Sequence, residues 1–547
     1  MWSRLLAVVE EQGQALIRSA FSLIVRECGD ISAGLFDVKG SMMAQAVTGT
    51  PGHINTMAEG VRNFIAAFPI DTMDPGDIYV TNDPWLAAGH LNDFMLVQPI
   101  FKHGHVIGFS SCTSHLVDVG GLCMGPQGSD IYDEGILIPP CCIVQSGQIN
   151  ELLFDIIKSN SRAPIENEGD LYALIACCEV GVDRLLEMLG DYQADDLQVL
   201  SHYIFEVSRK ASREAIKRIP NGIYENTLLL DGYESEIVLK GKVTVNDEQI
   251  ELDLEGSSPC SKYGINVPLN YAAAYSVFAI RCVVAAGVPN NGGSLEPFKV
   301  TAPENCIVNA LHPTPVAMRH TVGQLLPDLV FGCLHQALPG QVSAEGASCM
   351  YDIPMRNAPN AADNQFAIEL VHNGGTGARP QSDGLSATAY PSGVWGSQVE
   401  VTEATVPIHI ARRELRIDSG GPGQFRGGLG QTIEFRSSID APFLLFLSLD
   451  RMHHPARGLQ GGLPGAAGQV RVYSVGSQGR LLPGRGEVLV EPNESVIFES
   501  PGGGGFGSPQ DRPKNAIETD VFQGLVSPEK AQTDYYLTCY LTKADKT

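Results

Sequence analysis

The chain has 547 residues, 44% of them hydrophobic, which is enough for several domains or one large multi-layer body. Its net charge of −25, with no Lys/Arg cluster, argues against nucleic acid and against an anionic membrane surface as partner. Gly (59) and Pro (34) are abundant and charged residues make up only 18%, so tight loops and large buried contacts are expected.

Residues 4–27 repeat apolar positions at helical spacing, through Leu5, Val8, Val9, Leu16, Phe21 and Ile24. That stretch reads as an amphipathic helix, and its internal acidic residues speak against a signal peptide. SAGLFD at 32–37 reads as a strand, DVKG as a turn and SMMAQA as the return of a hairpin. TGTPGHINTM reads as a polar loop before a helical AEGVRNFIAAF. IYVTN, FMLVQPIF and HVIGFSSCTS are strand-like, which places His53, His90 and His115 in loops at strand ends. From 151 to 219 the pattern is helical, and Pro220 ends it. GIYENTLLLDG and EIVLKGKVTVNDEQIELDLEGS alternate around an Asn-Asp turn, as an antiparallel unit does. Helices are expected over 269–287 and 322–338; Arg281 and the Ala content argue against a membrane span in the first. The remainder is strand and glycine loop, with short helices near 515–533.

These patterns predict an α+β protein, large, mixed and multi-layered, with β-rich middle and C-terminal regions. Four segments follow: an N-terminal α+β region at 1–220, an antiparallel β unit at 221–265, a mixed helix and glycine-loop region at 266–400, and a β-rich region with short terminal helices at 401–547. The thirteen cysteines include two adjacent pairs and no CxxC, as expected of thiols in a reducing cytoplasm.

The chemistry concentrates in GDIYVTNDPWLAAGHLNDFMLVQPIFKHGHVIGFSSCTSHLVDVGG at 76–121. His90 and Asp93 are three apart, and so are His115 and Asp118. Imidazole with carboxylate suits a borderline divalent cation, and two such pairs can converge at neighbouring strand ends. Asp77, Asn82 and Asp83 are further oxygen donors nearby. Single His and Asp residues in turns also satisfy backbone groups, the plainer alternative. None of four glycine-rich segments is a GxxxxGK[ST] loop. The loop HNGGTGARPQSDG offers Arg379 and Asp383 to an anionic substrate group or an oxyanion, or simply supplies turns. Gly502–Gly505 has no charged neighbour and is read as close backbone packing. His320, after Arg319, is a candidate substrate contact from a second region. Cys112 could be a nucleophile with His115 as base, but is read as a buried structural thiol.

TPGHINTMAEGV, GDIYVTNDPWLAAGHLNDF, TSHLVDVGG, SNSRAPIENEGDLYALIACCEVG, DSGGPGQFRGGLG and PGGGGFGSPQDRP, in this order, resemble the hydantoinase B/oxoprolinase family. The resemblance implies a B-type subunit that works with a hydantoinase A-type ATPase subunit, in a hetero-oligomer with more than one copy of each. The partner, using ATP with Mg, would phosphorylate a small cyclic amide. The family's metal position falls on His90, Asp93 and His115, implying Mn²⁺ or Zn²⁺, with Asp118 or His53 steering a proton. An attacking water activated at that cation would open the ring. Related members are acetone and acetophenone carboxylase subunits, so an ATP-dependent ketone carboxylase is the alternative. This chain reads AAGHLND and SHLVD where many ring-opening members read GGTHLPD and HHAD, which leaves the substrate open.

Overall fold

The computed structural model describes every residue except 48, 123, 359–365, 475, 477–478 and 537–547. The fold is α+β, with helices on both faces of an N-terminal sheet and three further sheets. The first elements are α1 (Trp2–Ser19), α2 (Leu23–Arg26), β1 (Ile31–Asp37), β2 (Met42–Gln45), α3 (Pro51–Ala67), β3 (Ile78–Thr81), β4 (Asp93–Lys102), β5 (His105–His115), α4 (Ile131–Glu134), β6 (Cys141–Gln145) and β7 (Gln148–Ile149). Three helices follow, α5 (Glu151–Ser159), α6 (Pro164–Asp191) and α7 (Gln198–Ile216).

The seven-stranded sheet has the order β2-β1-β5-β4-β3-β6-β7. Both its faces are buried, so β1 and β4 read as near-continuous apolar runs instead of alternating. Successive residues still go to opposite faces. Leu35 and Met43 pack with Val8 of α1 and Leu185 of α6, whereas Phe36, Met95 and Val97 pack with Met57 and Val61 of α3. Asp93 shares the period of Met95 and Val97, and therefore points to the α3 face.

Two expectations are corrected here. The helix read over 4–27 is broken: Ala20 is extended, and Asp170 of α6 accepts the backbone N–H groups of Phe21 and Ser22 before α2 begins. The loop read at TGTPGHINTM is helical from Pro51, because proline at the first position lacks only an N–H that has no helical partner there. His53 thus stands on the first turn of α3.

The chain continues through β8 (Gly222–Leu230), β9 (Ile237–Asn246), β10 (Gln249–Asp253), α8 (Leu269–Val284), α9 (Gly292–Leu295) and β11 (Phe298–Thr301). These strands form a sheet of order β11-β10-β9-β8, which draws on both sides of position 265; β11 joins β10 in parallel and the other pairs are antiparallel. The helix expected at 322–338 is two pieces, α10 (His320–Gly323) and α11 (Leu326–Ala337), with Pro327 in the first turn of the second. The C-terminal part holds β12 (Tyr351–Asn357), β13 (Ala367–His372), α12 (Val399–Thr405), β14 (Ile408–Leu415), β15 (Gln431–Ser437), β16 (Phe443–Ser448), β17 (Gln469–Ser474), β18 (Arg480–Leu481), β19 (Arg485–Val490), β20 (Glu494–Glu499), α13 (Lys514–Phe522) and α14 (Pro528–Asp534). They build two antiparallel sheets, β13-β12-β16-β19 and β14-β15-β20-β17-β18. One apolar cluster reaches all four sheets, from Leu16 through Leu239 and Ile353 to Phe498. Among the described residues no helix is long and apolar enough to cross a membrane.

Candidate metal centre

The β4–β5 register brings the two halves of the sequence motif together. Asp93 opens β4 and His115 closes β5, and the two are directly paired across the antiparallel ladder. Side chains directly opposite share a face. His90 lies in the turn just before β4. Gly89 beside it has φ +95°, and a Cβ there would stand 2.8 Å from the Arg319 side chain, so the turn requires glycine. The side chains of His90, Asp93 and His115 each offer a ligand atom within 4.8 Å of the others, and all three are buried.

Asp93 is the hub. Its Oδ1 lies 2.9 Å from His90 Nε2 and 3.2 Å from His115 Nδ1. Its Oδ2 lies 2.9 Å from His53 Nε2 and accepts from Arg319 Nη2. Burial alone pushes this carboxyl up; His53, His90 and Arg319 together outweigh that and hold it well below the usual carboxylate range. Arg319 is fixed in turn by Ala88 O at 2.8 Å and by the face of Tyr271, 4.1 Å from its guanidinium carbon.

The histidines differ in state. His90 Nδ1 is 2.9 Å from Ala317 O; a carbonyl only accepts, so Nδ1 carries the proton. Burial and the Arg319 charge lower His90 to about 3, so its Nε2 is a bare lone pair. That lone pair has no hydrogen-bond partner, yet it faces a carboxylate oxygen. Two lone pairs at 2.9 Å fit a cation held between them, as does the donor set of two imidazoles and one carboxylate. His115 is bracketed by carboxylates, with Nε2 3.1 Å from Glu369 Oε1. Burial lowers His115, but Glu369 and Asp93 outweigh it and raise it well above the ordinary value. His53 Nδ1 faces Asp30 Oδ1 at 3.6 Å; burial lowers His53, and Asp93 and Asp30 leave it raised.

The structure also brings His320 to this cavity, buried, with Nε2 unpartnered. Burial, then Arg319 and the other histidines, push it well below its usual range. Three expected residues lie elsewhere. Asp118 does not line the cavity: beyond the end of β5 its carboxylate turns to Arg162 and to the backbone N–H of Gly120, tying that loop to the start of α6. Arg379 is exposed and donates to Asp383 O, and Asp383 is paired with Arg512 at 2.7 Å. Neither lines the cavity. Cys112 is buried, its thiol 3.5 Å from that of Cys178 and pushed far up by burial, as a structural thiol is.

Spacing could not find Asp30, Arg319, Asp352 and Glu369. Asp352 and Glu369 come from β12 and β13 and line the cavity. Burial and the Glu369 charge hold Asp352 well above the carboxylate range. The available signal was a carboxylate inside an apolar strand, as in AIELVH.

Known proteins resemble the chain over nearly all of its length. A protein from Methanocaldococcus jannaschii of unassigned function is 30% identical over 96% of this chain and 93% of its own length. The caprolactamase subunit beta of Pseudomonas jessenii is 28% identical over 96% of this chain and 93% of its own length. The 5-oxoprolinase 1 of Arabidopsis thaliana is 27% identical over 92% of this chain but only 41% of its own length. The crystal structure of an ATP-dependent caprolactamase from P. jessenii superposes with a TM-score of 0.90 at 25% identity, covering 97% of this chain and 94% of the other. A nucleotide-free acetone carboxylase shares the fold at TM-score 0.87 and 19% identity, over 97% of this chain and 78% of that one. The hydantoinase B/oxoprolinase family model matches residues 1–509, and the chain belongs to that family.

Proposed function

We propose that the chain is the B-type subunit of an ATP-dependent cyclic amide hydrolase, acting on a substrate that an A-type ATPase subunit has phosphorylated. The observation that carries this reading is the bare His90 Nε2 facing the Asp93 carboxylate inside a buried cavity. His90, Asp93 and His115 would hold Mn²⁺ or Zn²⁺. When bound, the cation supplies Lewis acidity to the oxygen of a water or of the substrate. His53 and Arg319 hold Asp93 Oδ2, which leaves Oδ1 for the ligand position. Glu369 accepts from His115 Nε2, which frees Nδ1. His53, whose protonated form Asp93 and Asp30 favour against the effect of burial, can deliver a proton to the departing ring nitrogen. His320, neutral and unpartnered, contacts the substrate at the cavity wall. Asp118 positions the loop after β5. Arg379 and Asp383 are not needed in this arrangement.

Two proportions support a separate ATPase partner. The chain spans 93% of a caprolactamase subunit but 41% of a 5-oxoprolinase, and it carries no phosphate-binding loop motif. The likeness to acetone carboxylase favours ketone carboxylation as the second reading. Substrate-stimulated ATP hydrolysis with the A-type subunit separates them: hydantoins or lactams should stimulate it without bicarbonate, whereas a carboxylase needs a ketone and bicarbonate. His90→Ala should lose stoichiometric metal and product together. Full metal content with normal product in that variant would refute the assignment.

A further inference from the structure

The cavity at the triad measures about 20 Å³, room for a water-sized group and not for a ring. A pocket of about 390 Å³ lies against it. The first turn of α3 is the shared wall. Thr50 and His53 face the triad, while Gly49, Pro51 and Ile54 line the larger pocket. Phe278 and Val288 supply apolar walls. The polar part is a connected set of amides: Asn290 Nδ2 donates to Gln45 Oε1 and, at 2.9 Å, to Asn55 Oδ1, and Asn290 Oδ1 accepts from Arg281 Nη1.

Arg281 also donates through Nη2 to Val288 O, and its Nε is buried without a partner. Clamping the 288–290 turn therefore uses only part of the guanidinium's five N–H groups. Among the described residues no carboxylate acts on it; burial without a counter-charge lowers it to about 10. A largely buried cation left unpaired is costly, and in a chain of net charge −25 carboxylates are plentiful. Such a cation, in a pocket with amide neighbours, is matched by an anionic ligand.

We infer that this pocket is an oxyanion-binding site in which Arg281, with the Gln45 amide N–H groups and the one Asn55 N–H not given to Ala274 O, takes a phosphate or carboxylate group while the rest of the ligand extends past the α3 turn toward His53. Asn290, both of whose N–H groups are spent on Gln45 and Asn55, holds those side chains in place. Identifying that group as the phosphoryl of the activated substrate rests on the function proposed above; the site itself does not.

Calorimetric titration of the full chain with inorganic phosphate, and separately with acetate, tests it. Saturable binding of either probe is expected, phosphate if the group is a phosphoryl and acetate if it is a carboxylate. Arg281→Met should weaken that binding at least tenfold. Ala286→Trp, a change at an exposed position on the pocket lining, should do the same without touching the arginine. Metal content at the triad should stay stoichiometric in both. Binding of neither probe, or unchanged binding in both variants, would overturn the site. Intact anion binding without lactam- or hydantoin-stimulated turnover would instead count against the hydrolase reading alone.

Discussion

His90 Nε2 and Asp93 Oδ1 meet without a proton because each is fixed from behind, the first by Ala317 O at Nδ1 and the second by His53 and Arg319 at Oδ2. Glu369 does the same for His115 from the other side, and its effect can be measured. Glu369→Gln keeps an oxygen to accept from His115 Nε2 but removes the charge that makes the ring a better donor. Affinity for Mn²⁺ or Zn²⁺ should fall by roughly 10- to 100-fold with the fold retained. Competition against a chelator measures this, and an unchanged affinity would show that Glu369 does not tune the ligand. The two His–Asp pairs were legible in the sequence because they are local. Glu369 was not: it is 254 positions from His115, and only the sheet contacts bring it there. Asp118 misled for the opposite reason. It matches the spacing of His90 and Asp93, but β5 ends at His115, so the two pairs are not equivalent in the backbone.

At the scale of elements, one short helix supports the site from behind. Glu134 of α4 is buried, and its Oε1 accepts the backbone N–H groups of Val316 and Ala317 at 2.7 and 2.8 Å. The carbonyl of Ala317 in turn holds His90. Burial raises Glu134 to about 8, against an ordinary value of 4.5. The folded chain therefore binds this proton more tightly than the unfolded chain, and stability falls as pH rises from about 4.5 to about 8. The loss approaches about 1.4 kcal/mol per pH unit, on the order of 4 to 5 kcal/mol across the window. Glu134→Gln, which keeps the accepting oxygen, should remove that slope and leave the variant the more stable protein at pH 8. Parallel denaturant melts at pH 5 and pH 8 check it; a wild-type slope retained in the variant would assign the effect elsewhere. Local elements were partly legible, although α4 was not among those read from the sequence. The α3 start at Pro51 was available from proline's preference for the first helical position, whereas the break between α1 and α2 was not, since Asp170 that makes it lies on α6.

At the scale of the whole molecule one apolar cluster reaches all four sheets, and a second device, glycine packed on glycine, joins segments of the C-terminal part. Segments that read separately along the chain converge in the C-terminal part. Gly428 N donates to Thr376 O, Gly503 N to Gly428 O and Gly421 N to Gly503 O, all within 3.0 Å. Backbones can approach this closely because no Cβ stands between them. A Cβ on Gly375 would lie 1.9 Å from Gly428 O, one on Gly427 1.9 Å from Gly503 O, and one on Gly503 1.9 Å from Thr376 O. The sequence reading of Gly502–Gly505 as close backbone packing agrees with this arrangement, but it could not say which strands of chain it faces. Each obstructing atom is backbone in a buried, hydrogen-bonded layer, so it cannot turn aside as a side chain would. Gly503→Ala should therefore cost more than about 4 kcal/mol, among the large single-residue effects, and lower the yield of soluble protein. Gly190→Ala, near the end of α6 with nothing within 4 Å of the added methyl, should be neutral or stabilising by up to about 1 kcal/mol. Thermal melts of the two variants beside the parent make the comparison, and a Gly503→Ala protein that melts with the parent would show that the glycine layer yields more readily than its geometry allows.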